Sequence, residues 1–265
     1  MDLILKAVLL GIVEGLTEFL PVSSTGHLIL VGEYLAFDGA FADLFNIVIQ
    51  GGAILAVIVY FWKKIFPPLG DQEALKKWFG FWLKVAVAII PSGVLGVLFV
   101  DRIEEVLFNS VAVAVTLVLG ALLIIFAENK SKTTTVTDEF QITYKQAILV
   151  GLAQCMALIP GMSRSASTII GGLFVGFSRA VAAEFSFFMS IPTLLGAGLI
   201  KLLKSGMALT GLQWTLLGIG TAVSFIVAYF VIAIFMNYIK KHDFKVFAWY
   251  RIVLGLVVLA VSFWR

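Results

Sequence analysis

Six nearly unbroken apolar stretches recur along the chain, at residues 44–62, 78–100, 106–127, 185–200 with its flanks, 212–236 and 246–264, with polar connectors between them. Each is close to the roughly 20 apolar residues that a helix needs to cross a bilayer. In hydrocarbon the backbone must satisfy its own hydrogen bonds, which restricts such segments to helices. Composition agrees: 61% of the 265 residues are hydrophobic and 13% charged, against roughly 45–50% and 25% in soluble domains. Mean hydropathy is +1.05. No water-soluble globule of this size could bury so much apolar surface, so membrane lipids are the expected surroundings. The single cysteine, Cys155, excludes an intramolecular disulfide, and a net charge of +3 excludes nucleic acid as a partner. Residues 1–20 carry Lys6 and an apolar run, but Glu14 and Glu18 interrupt it and no small-x-small site follows. The segment is therefore expected to stay in the mature protein rather than act as a cleaved signal.

Two further apolar segments do not fit a simple span. Residues 3–35 contain Glu14, Glu18, Pro21 and His27 around Ser23-Ser24-Thr25-Gly26, and residues 147–177 contain Pro160-Gly161 and Ser163-Arg164-Ser165. Each is too long and too polar for one lipid-facing helix and about right for two short helices joined by a polar turn. Irregular backbone at membrane depth needs protein or a water-filled cavity around it, so both are expected to be re-entrant hairpins. The two halves also resemble each other. Gly11-Ile12-Val13-Glu14 matches Gly151-Leu152-Ala153-Gln154 at an offset of 140. Leu20-Pro21-Val22-Ser23-Ser24 matches Ile159-Pro160-Gly161-Met162-Ser163 at 139, and Asp43-Leu44 matches Glu184-Phe185 at 141. Similar offsets in the same order point to an internal duplication; chance likeness between apolar segments is the alternative.

A hairpin returns to its own side and three spans are odd in number, so the second half starts on the opposite side of the membrane from the first. The expected fold is an all-α polytopic membrane protein, a single integral domain of two inverted-topology repeats. Each repeat has one re-entrant helix hairpin plus three transmembrane helices, over residues 1–127 and 146–265, with a connector at 128–145. The hairpins then meet near the midplane. Of nineteen Lys and Arg, eleven fall on one side, among them Lys63, Lys64, Lys132, Arg179 and Lys240; Lys6, Arg102, Lys201, Lys204 and Arg265 fall on the other. The richer side is expected to be cytoplasmic, leaving both termini and the first hairpin's entrance outside.

Ionisable groups within membrane segments are costly unless paired or hydrated, so each is a functional candidate. Glu14 and Glu18, at i and i+4, share a helical face one turn apart. Like charges that close either bind a cation or split into a base and its protonated partner; hydrated carboxylates at a helix end are the bland reading. Pro21 ends the first helix. Ser23, Ser24, Thr25 and Gly26 then offer hydroxyls and backbone donors to an anion, and His27 can act as nucleophile or acid–base group. In the second hairpin Ser163, Ser165, Ser167 and Thr168 surround Arg164, whose guanidinium suits phosphate oxygens. The bland reading there is a salt bridge from Arg164 to Glu14 or Glu18 that locks the hairpins. Gln154 and Leu158 stand where the first repeat has Glu14 and Glu18, so one centre is expected rather than two. Gln50 and Arg251 are expected to satisfy neighbouring helices, and Glu184 to cap a span.

Residues 14–27, Glu-Gly-Leu-Thr-Glu-Phe-Leu-Pro-Val-Ser-Ser-Thr-Gly-His, and 160–168, Pro-Gly-Met-Ser-Arg-Ser-Ala-Ser-Thr, resemble the two signature motifs of the bacterial undecaprenyl-pyrophosphate phosphatases, the bacitracin-resistance proteins. Length and layout agree over essentially the whole chain. The resemblance implies removal of the terminal phosphate from a polyprenyl pyrophosphate lipid, which regenerates the carrier for peptidoglycan synthesis. It further implies a cell-membrane site facing the outer side and a divalent cation, Mg2+ or Ca2+, at Glu14 and Glu18. His27 and Ser24 would compete for the attacking or proton-shuttling role. Ser163, Arg164 and Thr25, with Ser23, Gly26, Ser165 and Thr168, would hold the pyrophosphate. A lipid-phosphate or ion-coupled transporter is the rival reading, because inverted repeats with broken helices also build transporters. Homo-oligomerisation is left open.

Overall fold

The computed structural model describes residues 2–67, 70–130, 134–205 and 209–264. Lys132, Arg265 and part of the 128–145 connector lie outside the described residues. Among those described, six helices are long and apolar enough to cross a membrane: α3 (Ala40–Tyr60), α5 (Gln72–Leu107), α6 (Ser110–Lys130), α9 (Arg179–Ser205), α10 (Gly211–Ile239) and α11 (Lys245–Trp264). Large apolar side chains such as Val97 (78% exposed) and Ile234 (69%) point outward, as expected where lipid is the solvent. The chain is a multi-pass, all-helical membrane protein; the described residues form no strand beyond one bridge between Val136 and Phe177.

Helix α5 runs past the break expected between residues 100 and 106. Its 36 residues extend about 54 Å at 1.5 Å per residue. Asp101-Arg102 is polar but does not break a helix, and Arg102 pairs with Glu105 one turn on at 2.6 Å. The break comes at Asn109, whose Oδ1 accepts from the Ala112 amide at 2.9 Å and so caps α6.

Four helices are too short to span alone: α1 (Leu3–Thr17), α2 (Ser24–Leu35), α7 (Tyr144–Gln154) and α8 (Arg164–Phe174). A one-turn helix, α4 (Trp62–Ile65), completes the set. The short helices form two helix–turn–helix pairs, α1–α2 and α7–α8. Each turn ends in a serine with left-handed φ, Ser23 at 71° and Ser163 at 69°. The Ser23 hydroxyl caps α2 at the Gly26 amide and the Ser163 hydroxyl caps α8 at the Ala166 amide, both at 3.3 Å. Ala36 and Gly176, again at positive φ, end the two pairs. There Phe37 N–H donates to Gly32 O and Phe177 N–H to Gly172 O. These matches all lie 140 residues apart, which corrects the serine pairing at 139: Ser23 is the counterpart of Ser163, and Ser24 and Arg164 share the first helical position.

Each short pair leans on a long helix from the other half of the chain, α1 on α10 and α7 on α5. A Cβ at Gly11 would land on the carbonyl of Gly220, and one at Gly151 on the carbonyl of Ala88. Missing side chains there let the backbones touch, the usual way membrane helices associate without a hydrophobic drive between them. Beneath the turns lies a phenylalanine core in which Phe19 meets Phe187, and Phe61 and Phe81 each meet Phe188, edge to face at 5.1–5.3 Å. Such contacts contribute about 0.5–1.5 kcal/mol each beyond area burial.

Candidate active site

The α1–α2 and α7–α8 turns meet. Ser165 Oγ donates across to the Leu20 carbonyl at 2.8 Å, and Arg164 reaches Glu18 Oε1 through Nε at 3.3 Å and Nη2 at 3.2 Å. Arg164 Nη1 donates to the Ser186 carbonyl at 3.0 Å, and the guanidinium sits 5.9 Å from the centre of the Phe19 ring. The other Glu18 oxygen, Oε2, accepts from Ser24 Oγ at 2.7 Å. A hydroxyl, a carboxylate and a guanidinium are thus chained in a buried site, with Glu18 between the other two. The locking salt bridge considered as the bland role for Arg164 is present, to Glu18.

Glu14 lies one turn back on α1 and is 0% exposed. Neither of its carboxylate oxygens has a hydrogen-bond donor among the described residues when both acids are ionised; beside it are the carboxylate of Glu18, near enough to share a proton with it, and the charge of Arg164. A buried carboxylate without donors is costly, so the position calls for a proton or a cation. Hard oxygen donors suit Mg2+ or Ca2+. Two carboxylates are too few for an all-protein cage, and the described residues include no cluster of three acidic, histidine or cysteine ligands. The pair fits an ion whose remaining positions are filled by water and phosphate oxygens, the manner in which Mg2+ is commonly held.

His27 does not face Ser24. Its Nδ1 lies 2.7 Å from the Ser23 carbonyl and its Nε2 2.7 Å from the Tyr250 hydroxyl. Ser163 Oγ lies 3.0 Å from Ser165 Oγ, and Thr168 Oγ1 lies 2.7 Å from Ser186 Oγ. Thr25 is half-buried in the first turn of α2 and Gly26 is buried, its amide held by Ser23. All the residues anticipated from sequence therefore belong to the two turns or to the helix ends beside them. Ser186, Tyr250 and the full reach of Arg251 were not anticipated as parts of the site.

Arg251, 0% exposed, does satisfy a neighbouring helix, through Nε to Leu117 O at 3.1 Å and Nη2 to Thr116 O at 3.3 Å. It also holds both turns. Nη1 donates to Pro21 O at 3.4 Å and Met162 O at 3.1 Å, and Nη2 to Gly161 O at 3.0 Å. All five N–H donors of the guanidinium are used, each by a carbonyl. Gly120 makes room, since a Cβ there would overlap the guanidinium. Glu184 lies within α9 rather than at its start, and an ion pair stands in place of the expected cap. Its carboxylate pairs with Lys64 at 2.7 Å, and Lys64 also pairs with Glu139 at 2.8 Å.

Residues 7–257 match the family described as Bacitracin resistance protein BacA. Undecaprenyl-diphosphatase 1 of Clostridioides difficile (strain 630) is 54% identical over 264 residues, covering 98% of this chain and 96% of the relative. The undecaprenyl-diphosphatase of Enterococcus faecalis is 51% identical over 98% of this chain and 97% of its own length, and that of Thermoanaerobacter sp. (strain X514) 46% over the same shares. Matched almost from end to end, and carrying both serine-capped turns within the matched region, the chain belongs to the bacitracin resistance protein BacA family.

Proposed function

We propose that this chain is an undecaprenyl-diphosphatase of the bacterial cell membrane, hydrolysing undecaprenyl diphosphate to undecaprenyl phosphate and inorganic phosphate. The observation that carries the chemistry is the buried chain Ser24 Oγ–Glu18–Arg164. In this reading Arg164 leaves Glu18 to grip the terminal phosphoryl group with both arms of its guanidinium, and hydroxyls of Ser23, Thr25, Ser163, Ser165 and Thr168 with the Gly26 backbone complete the cradle. Ser24 Oγ attacks the terminal phosphorus while Glu18 Oε2 takes its proton. The anhydride P–O bond breaks and undecaprenyl phosphate leaves. Water then hydrolyses the phosphoserine, with His27 as the group that accepts the water's proton. A divalent cation held by Glu14, with Glu18 once Arg164 has turned away, would neutralise charge on the phosphoryl oxygens. An apolar cavity of about 430 Å3 between α5 (Leu95, Phe99, Ile103) and Cys155, Leu158 and Ile159 of the second turn would take the first isoprene units of the tail.

The same reading treats residues 1–127 and 146–265 as inverted repeats with re-entrant hairpins. Its support is the pair of strained serine caps, the matched helix ends and the matched glycines 140 residues apart. With the basic connectors on the cytoplasmic side, the termini and the site's opening face outward.

Phosphate release from undecaprenyl diphosphate by purified protein in detergent with Mg2+ tests the activity, since a transporter has no gradient to use there. Ser24→Ala should abolish it. An acid-stable phosphoserine trapped from wild type would support attack by Ser24, whereas an acid-labile adduct lost in His27→Ala would transfer that role to His27.

A further inference from the structure

Helix α11 sends two adjacent side chains to the turns, Tyr250 and Arg251, and the steps above use neither. Arg251 is saturated by carbonyls. Among the described residues Tyr250 has one polar partner at the site, His27 Nε2. The bond on the other side of the ring decides what that contact means. The oxygen of Ser23 is a carbonyl and can only accept, so the proton between it and Nδ1 belongs to Nδ1. A neutral imidazole carries one N–H, so Nε2 is the acceptor and the Tyr250 hydroxyl the donor. The two rings are parallel within 4°, with centroids 5.6 Å apart. Tyr250 is 48% exposed, so removing its hydroxyl opens no cavity.

We propose that Tyr250 is a positioning residue for the phosphatase reaction: it holds His27 as the Nδ1–H tautomer, with the Nε2 lone pair kept at the edge of the phosphate cradle. Ser23 fixes one side of the ring from its strained backbone, and Tyr250 fixes the other from the last helix. The phenol is the donor that an incoming water replaces, so Nε2 is presented as a proton acceptor without rotation of the ring. The inference rests on the phosphatase reading, and its test has an arm that does not.

Tyr250→Phe keeps the ring and deletes the donor. Loss of one hydrogen bond to the acting group predicts a kcat about 3- to 10-fold lower with KM unchanged within about twofold. In the His27→Ala background the same substitution should have no further effect. The chain has only two histidines, so 15N-histidine NMR in detergent resolves His27, with His242 as an internal control. Wild type should show a protonated Nδ1 and an unprotonated, hydrogen-bonded Nε2, and Tyr250→Phe should move the Nε2 resonance and mix the tautomers. An Nε2–H in wild type, an unchanged His27 spectrum in Tyr250→Phe, or equal slowing of wild type and His27→Ala would overturn the proposal. If the protein released no phosphate at all, the NMR arm would still report on the tautomer, so failure of the activity and failure of the tautomer assignment are told apart.

Discussion

The two turns share a backbone and differ in charge. Both place a serine at φ near 70°, both use its hydroxyl to cap the next helix, and both follow a helix seated on a long partner through a glycine. Yet the first carries Glu14 and Glu18 where the second carries Gln154 and Leu158, and the first helical position is Ser24 in one and Arg164 in the other. One geometry therefore presents a carboxylate and its hydroxyl from one side and a guanidinium from the other. Gln154, at the position matching Glu14, donates through Nε2 to Ser92 Oγ at 2.6 Å and leaves its Oε1 without a partner among the described residues, whereas both carboxylate oxygens of Glu14 lack one there. In the proposed reading the two turns act as one scaffold used twice, and the chemistry follows from the difference in the residues they carry.

That contrast sets the largest expected effect. Glu18→Gln should cost about 10²- to 10⁴-fold in kcat, the range for removing a general base, whereas Gln154→Ala in the other half should change kcat less than about threefold and be felt in stability. Comparable losses at both would mean that the halves share the chemistry. Second in size, Arg164→Lys keeps the charge but loses the two-armed grip, and kcat/KM should fall about 100-fold; activity near wild type would reduce Arg164 to a lock between turns. Glu14→Gln should raise the Mg2+ concentration for half-maximal activity at least about tenfold, since losing a group that holds or orients a metal commonly costs about 10- to 100-fold in metal affinity. Gln154→Glu should leave that titration unmoved.

Equal backbones predict equal responses to Ser23→Ala and Ser163→Ala. Each loses a cap worth about 0.5–2 kcal/mol and leaves a non-glycine residue at positive φ, so thermal unfolding in detergent should show similar drops in Tm. A drop at one turn alone would break the equivalence. The smallest effect belongs to Lys64, outside the spans. Burial pulls its ammonium down, but hydrogen bonds and charges from Glu139 and Glu184 outweigh this and hold it above its ordinary value. A raised folded-state value means that the contribution is fully present below the ordinary lysine value and is lost only as pH rises through the folded value. Lys64→Met should therefore lower stability by about 1 kcal/mol or less at pH 7, with kcat unchanged.

The spans were legible because twenty apolar residues have few alternatives in a bilayer. The α5–α6 boundary was not, since Asp101-Arg102 looks like a connector and the true stop is the capping of Asn109. The acids, hydroxyls and Arg164 were legible because ionisable groups stand out in an apolar sequence. What joins them was not. That Ser24 bonds Glu18 while His27 turns to Tyr250 depends on the strained φ of Ser23, which no spacing rule encodes, and Ser186 and Tyr250 reach the site only through packing of α9 and α11. The sequence did mark Arg251 as polar within a span, but carbonyl partners have no side-chain signature, so its hold on both turns was invisible.

The five carbonyls around Arg251 also impose an order of events on synthesis. Every residue proposed to act on the phosphates lies between positions 14 and 168, and these would leave the ribosome well before α11. Until α11 is inserted, the carbonyls of Pro21, Gly161 and Met162 lack the donor that ties the two turns together. Chains usually fold from the N-terminus as they emerge, but here completion waits for the last helix. A nascent or truncated chain ending before Lys245 would hold every residue proposed to act on the phosphates and still lack the guanidinium that ties the two turns together.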